Sequence, residues 1–529
     1  MLRSANFLLA FVVALVLIPV LAVFLSWTSI NTELWAHFID TRLADLLLNT
    51  FYLLVGVSIG VLILGVGLAW LVSYYEFPGR RWLEWALMLP MAIPAYVVAF
   101  VFLGLFSFTG PVQTFLRENG FAWLNIADIR HPISISLVMA SVLYPYIYLL
   151  ARNAFMSQGQ HYIEAAQSLG SSRWRIIVGI QLGMARPAIV AGLALAMMET
   201  LADFGTVAIF NYDTFTVAIY KAWFDYFDLQ LACQLASILL ILVAVALMLE
   251  AKQRGAKNFE DNQQPHVRQS LTPLKAYGAS AVCLTIFTLS FVLPVVQLLL
   301  WAFKYIEELL DPRFLNLLWR TFSLAFMAAA LTASVALMLA LIQRFKKNVL
   351  TSRLITITKL GYALPGTVLA VGIVMPLGYF EQMLAPLTSA LGFPQSQLLL
   401  GSVFVLLMAY MVRFLTVAIS PLETSLSRLS EHIPEAATSL GASRLRIFFT
   451  IYLPLIRPGL LLALLLVFVD VMKEMPATLL MRPFGWDTLA VRIFEMTSEG
   501  EYERAALPAL CLLIVGLIPM ILTIRQSRD

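Results

Sequence analysis

EAAQSLGSSRWRIIVGIQLGMARP occupies residues 164–187, and EAATSLGASRLRIFFTIYLPLIRP occupies residues 435–458. The two segments are identical at 14 of 24 positions and stand 271 residues apart. The same offset carries Thr50-Phe51 onto Thr321-Phe322, Pro94 onto Pro365 and Arg186-Pro187 onto Arg457-Pro458. Further on, DTFTVAIY at 213–220 matches DTLAVRIF at 487–494 after a three-residue insertion. Shared helix preference does not produce one constant offset over so long a stretch, so the chain is an internal duplication.

Composition says where the copies reside. Of 529 residues, 60% are hydrophobic and only 12% charged, against about a quarter charged in soluble domains. That excludes a soluble enzyme, a nucleic-acid binder and a disordered chain. Apolar runs of about 20 residues or more, enough to cross about 30 Å of hydrocarbon, lie near 6–27, 47–75, 84–106, 133–155, 187–210 and 229–249. After a polar stretch come six more, near 279–301, 321–343, 356–380, 397–420, 457–481 and 505–524. The expectation is an all-α integral membrane protein of twelve transmembrane helices. Residues 1–250 form the first half, 251–275 a cytoplasmic linker and 276–529 the second half. The first apolar run, Ala5 to Trp27, is too long for a signal-peptide core and reads as an uncleaved first span. Cys233, Cys283 and Cys511 are far apart and suggest neither a disulfide framework nor a zinc site.

With both termini in the cytoplasm, the inner side carries 24 Lys/Arg and 10 Asp/Glu. The outer side, counted with the acids and Lys473 of the fifth spans, carries 11 and 21. The basic excess lies inside, as the positive-inside rule requires. Six spans per half is an even number, so the halves are parallel repeats about an axis normal to the membrane.

Between the fourth and fifth spans of each half lies a short helix, Glu164-Ala165-Ala166 to Gly170 and Glu435-Ala436-Ala437 to Gly441. Each ends in a glycine that can turn left-handed. A basic amphipathic segment with Arg173 and Arg175, or Arg444 and Arg446, leads back to the membrane. The Ala-Ala pair offers a small-residue surface that another backbone can approach. This pattern resembles the EAA loop of importer-type ABC transporter permeases, and the resemblance extends over essentially the whole chain. It implies two six-helix type-1 permease repeats, with type-1 domains at about 46–250 and 317–525. It implies that each loop is a coupling helix docking on an ATP-hydrolysing subunit, and two nearly identical loops suit a pair of identical ATPase subunits. The second copy has Pro454 where the first has Gly183. No GxxxxGK[ST] phosphate loop occurs in the sequence. ATP and Mg²⁺ therefore belong to the partner, and no cofactor of this chain and no enzymatic activity are expected.

The fifth span of each half carries acids where lipid disfavours them. Glu199 aligns with Asp470 and Asp203 with Glu474, and each pair is spaced i, i+4 on one helix face. Counted from Pro187 at 1.5 Å per residue, Glu199 lies roughly 18 Å in and Asp203 about 24 Å in. A carboxylate near a helix centre costs about 2.5–3.5 kcal/mol on the insertion scale. Four unpaired ones would cost about 10 kcal/mol, comparable with a domain's whole stability. They must face partners, Lys473 being one at hand, or a polar path. A ring of four carboxylates would attract a hard, highly charged cation that prefers oxygen ligands. Gly205 aligns with Pro476, which places a helix break just beyond this level.

ETLADFGTVAIFNYDTFTVAIYKAW at 199–223 and DVMKEMPATLLMRPFGWDTLAVRIFE at 470–495 resemble the fused permeases of ferric-iron importers. The resemblance implies a bacterial inner-membrane protein fed by a periplasmic substrate-binding protein. It also implies transient Fe³⁺ contact at Glu199, Asp203, Asp470 and Glu474. A thiamine-type permease is the alternative within the class, with Phe204, Phe210, Tyr212 and Trp486 for stacking. An ion-gradient-driven secondary transporter is the alternative outside it, with the acids as proton relays. The duplicated loop argues against the latter. Asp213 and Asp487 suit turn caps as well as ion contact. Glu495, Glu499, Glu501 and Glu503 suit either a binding-protein contact or solvation.

Overall fold

The computed structural model describes residues 2–121, 129–254, 268–346, 348–390, 399–430 and 432–526. Most of the 251–275 linker falls outside them. Among the described residues, twelve helices are long and apolar enough to cross a membrane.

The chain begins with α1 (Leu2–Leu25), then α2 (Ala44–Tyr74), the two-residue strand β1 (Tyr75–Glu76) and α3 (Arg80–Ala86). A tight turn at Leu89–Ala92 and Pro94 separate α3 from α4 (Ala95–Phe106). The reading of one third span over 84–106 is corrected here. The residue before a proline is pushed out of the α region, Ile93 is extended, and the helix restarts at Ala95. Next come α5 (Pro132–Met156), α6 (Gln160–Ser168), α7 (Leu182–Ala202), α8 (Gly205–Ile209) and α9 (Leu229–Arg254). Strand β2 (Gln269–Ser270) pairs in parallel with β1. The second half runs α10 (Pro273–Phe287), α11 (Leu293–Lys304), α12 (Pro312–Phe345) and α13 (Val349–Thr358). Pro365 breaks the ninth span as Pro94 breaks the third, with Leu364 extended. Then follow α14 (Gly366–Ala390), α15 (Val403–Ser427), α16 (His432–Ser439), α17 (Leu453–Lys473), α18 (Pro476–Met481), α19 (Leu489–Ser498) and α20 (Tyr502–Gln526).

These helices form two compact units that do not follow the two sequence halves. One unit holds residues 32–218, 239–306 and 493–529. Its centre is α2 against α5, where small residues let the backbones close up. A Cβ at Gly60 would stand 2.6 Å from Ala140 Cβ, and one at Gly65 2.8 Å from Ile147 Cβ. The seventh span, α10 and α11, packs here although it belongs to the second half. Trp301 of α11 stacks on Phe100 of α4 and fills the space over Gly104.

The other unit holds residues 1–31, 219–238 and 307–492. Its centre is α12 against α15 and α17. Buried Ala325, Ala328, Ala329, Ala333, Ala336 and Ala340 give α12 an alanine stripe at helical spacing. The first span crosses to this unit: α1 lies on α14, with Pro19 against Gly372. Trp27 Nε1 donates to Ser237 Oγ at 2.8 Å, and Gln234 Nε2 to Ser26 O at 3.0 Å.

Candidate functional site

The loop helices fold as their sequences require, and alike in both units. α6 stops at Gly170, with φ +75°, and α16 at Gly441, with φ +81°. Ser171 N donates to Ala166 O at 3.0 Å, and its counterpart Ala442 N donates to Ala437 O at 3.0 Å. That is the six-to-one bond of a Schellman stop. Ser172 Oγ then accepts from Arg175 N, as Ser443 Oγ accepts from Arg446 N, and each caps the next helical turn. Glu164, Ala165, Glu435 and Ala436 are exposed, whereas Ala166 is buried and Ala437 half-buried. The small-residue surface is therefore carried chiefly by the first alanine of each pair. Beyond it the apolar Leu169 and Leu440 stand 85% and 89% exposed, which solvent alone does not favour.

The return path contains a π-helical segment in both units, Ile176–Gln181 and Phe448–Tyr452. Leu182 N reaches back to Ile177 O, and Leu453 N to Phe448 O. Pro454 follows the second segment, where its missing N–H removes one hydrogen bond of the α register. Gly183 stands there in the first, and the segment is the same.

The anchors of the two loops differ. In the first, Tyr74 Oη donates to Gln158 Oε1 at 2.6 Å, Gln158 Nε2 to Gln181 O at 2.9 Å, and Trp70 Nε1 to Gln181 Oε1 at 2.8 Å. At offset 271, Tyr74 becomes Phe345, Gln158 becomes Leu429 and Gln181 becomes Tyr452. Phe345 and Tyr452 meet edge-on at 5.5 Å. Arg344 replaces the polar network, donating to Leu426 O at 2.7 Å and Leu429 O at 2.5 Å.

The intramembrane acids sit at the ends of α7 and α17. The helix does not begin at Pro187, as the depth count supposed. Helical structure starts at Arg173, with Pro187 inside it, so Glu199 lies about 39 Å along the helix from Arg173 at 1.5 Å per residue. Asp203 leaves the helix with extended backbone. Its Oδ1 accepts from Thr206 N at 2.9 Å and Val207 N at 3.3 Å, and its Oδ2 from Thr206 Oγ1 at 3.0 Å. Glu474 does the same one repeat later: Oε1 accepts from Ala477 N and Oε2 from Thr478 N, both at 2.9 Å, while Thr478 Oγ1 also donates to Oε2. Each carboxylate caps the short helix beyond the break, α8 or α18. A carboxylate at a helix N-terminus also complements the dipole. The recurrence of acids at this level thus has a structural cause.

Glu474 has a further partner that the sequence reading missed. Arg413 of α15 pairs with its Oε1 at 3.0 Å, and the Glu474 side chain is 1% exposed. Gly366 makes the room, since a Cβ there would run into Arg413 Nη1 and stand 2.9 Å from Glu474 Oε1. At offset 271, Gly366 becomes Ala95 and Arg413 becomes Val142, so the first unit has neither the space nor the arginine. The available signal was one basic residue in the apolar run VFVLLMAYMVRFLTVAIS. Glu199 and Asp470 lie one turn before the breaks and are half-buried. Within either unit, no group of three or more His, Cys, Asp or Glu among the described residues could hold a metal ion. Elsewhere, Asp213 pairs with Arg42 at 3.7 Å, and Glu503 with Lys304 at 2.7 Å.

The family described as binding-protein-dependent transport system inner membrane component matches residues 61–252. The Fe(3+)-transport system permease protein FbpB 2 of Haemophilus influenzae is 30% identical over 493 residues, covering 91% of this chain and 90% of that protein. The sulfate transport system permease protein CysT of Escherichia coli is 33% identical over 148 residues, 27% of this chain and 50% of its own length. CysW of Escherichia coli is 30% identical over 152 residues, 28% of this chain and 49% of its own. Twelve apolar helices, duplicated loops and near full-length similarity agree: the chain belongs to the inner membrane components of binding-protein-dependent transport systems, and is the permease of an ABC importer rather than an enzyme.

Proposed function

We propose that this permease translocates ferric iron handed over by a periplasmic binding protein and is driven by a separate pair of identical ATPase subunits. The observation that carries the reading is the similarity to FbpB 2, which runs through nine-tenths of both chains. The sulfate permeases match about half of their own length. Chemistry supports the same choice. Carboxylates along a path repel a sulfate dianion and favour a hard cation with oxygen ligands.

In this reading Glu164–Gly170 and Glu435–Gly441 are the coupling helices, and both termini are cytoplasmic. ATP binding closes the motor, the coupling helices carry the movement into the spans, and the path opens outward. Hydrolysis returns it. Glu199, Asp203 and Asp470 line the path, while Glu474 lies buried behind it, paired with Arg413. Asp203 and Glu474 also cap the breaks, so amidating them removes a helix cap as well as a charge.

The test is uptake by vesicles reconstituted with the ATPase and binding protein. The double variant Glu199→Gln, Asp470→Asn is expected to lose at least tenfold of ferric uptake while still binding the ATPase. Amidating all four acids is expected to abolish uptake. Wild-type uptake by the double variant would remove these acids from the path.

A further inference from the structure

The end of α5 nearest the first coupling loop holds a charge cluster that the transport reading does not use. Glu84 of α3 is buried between two arginines: Arg80 Nη1 donates to its Oε2 at 2.7 Å, and Arg152 Nη2 to its Oε1. Arg80 Nε donates to Glu76 Oε2 at 2.9 Å. Tyr148 Oη donates to the Glu84 carbonyl at 2.8 Å, and Arg152 lies 4.9 Å from the centre of the Trp85 ring. Both carboxylates are thereby engaged. A third guanidinium arrives from the far side of the linker, because the pairing of β2 with β1 sets Arg268 beside this cluster. Arg268 Nη2 lies 4.0 Å from Met156 Sδ, one helical turn beyond Arg152 on the same face of α5. Burial, then Arg80 and Arg81 against the opposing pull of Glu76, holds the Arg268 guanidinium below its usual pKa.

Two donors remain unanswered. Arg152 Nε and Arg268 Nε are both buried with no hydrogen-bond partner among the described residues. Arg152 as a whole is 7% exposed. Leaving such donors dry costs about 1–3 kcal/mol each. Three guanidinium groups against two carboxylates also leave net positive charge in a partly dry site. A tetrahedral oxyanion corrects both deficits, since guanidinium groups match its geometry.

We propose that Arg80, Arg152 and Arg268 form a binding site for a phosphate group, presented by an anionic phospholipid headgroup or by a free phosphate compound. The site is confined to one unit. At offset 271, Arg80, Glu84 and Arg152 become Thr351, Ile355 and Glu423, and there Lys359 Nζ simply pairs with Glu423 Oε1 at 2.8 Å. The stoichiometry is therefore one per chain. A bound phosphate ties the end of the linker to α3 and α5, immediately before the first coupling helix. Basic pockets between membrane helices take lipid headgroups by the same chemistry.

The test uses the delipidated full-length permease, titrated separately with phosphatidylglycerol and with inorganic phosphate. Binding is read by native mass spectrometry and by the shift in thermal unfolding. Arg268→Gln breaks no carboxylate pair, and Arg152→Lys keeps a cation beside Glu84 while removing the Nε donor. The expected result is one headgroup per chain, bound at least fivefold more weakly by either variant. If the arginine-dependent shift comes with inorganic phosphate and not with the lipid, the site takes a free phosphate compound. Binding of neither probe, or wild-type affinity in both variants, overturns the proposal.

Discussion

Arg413 and Glu474 show what single residues decide in this membrane protein. Removing one partner of a buried pair strands the other charge at a cost of about 3–5 kcal/mol. Arg413→Met should therefore lower the midpoint of thermal unfolding in detergent markedly, and adding Glu474→Gln should recover a substantial part of the loss. A cost under about 1 kcal/mol for Arg413→Met would mean that the pair holds nothing. The acids were legible in the sequence because an aspartate or glutamate in an apolar run conflicts with its surroundings. The capping by Asp203 and Glu474 was not. Capping depends on where the helix stops, and the Asp203 and Glu474 stops are set by hydrogen bonds that an alignment of letters does not display. Arg413 was hidden for a related reason: its partner is 61 residues away in the chain.

At the scale of the element, the proposed coupling role of α6 and α16 rests on how these helices stop. Among the described residues, a Cβ at Gly170 or Gly441 meets nothing within 4 Å, so the obstacle to alanine there is the left-handed backbone. That costs roughly 1–2 kcal/mol, and locally. The double variant Gly170→Ala, Gly441→Ala should thus unfold at nearly the wild-type temperature yet lose substrate-stimulated ATP hydrolysis in the reconstituted complex. Unchanged stimulation would separate these loops from coupling. The helix stops were readable from glycine chemistry. The π-helical segments after them were not, because Gly183 and Pro454 differ while the backbone at Leu182 and Leu453 is the same. The span starts at Ala95 and Gly366 were missed because hydropathy runs straight through Pro94 and Pro365, whereas the backbone does not.

At the scale of the whole molecule, the duplication is visible in the sequence and the exchange of first spans is not. All the apolar runs satisfy a membrane equally, and periodicity does not say which neighbour each helix chooses. Here α1 packs with second-half helices, and α10 with α11 packs with first-half helices. Each unit therefore draws on both halves of the chain. Cutting the permease between residues 254 and 268 and co-expressing the two fragments should yield a pair that co-purifies through detergent; fragments that separate would contradict this arrangement. The central claim, ATP-driven import of ferric iron, is tested most directly by transport. Vesicles containing the permease, its ATPase and its binding protein are supplied with radiolabelled ferric iron or radiolabelled sulfate. The account predicts iron uptake that requires both ATP and the ATPase, with no sulfate uptake. Sulfate uptake without iron uptake, or iron uptake that persists without the ATPase, would contradict it.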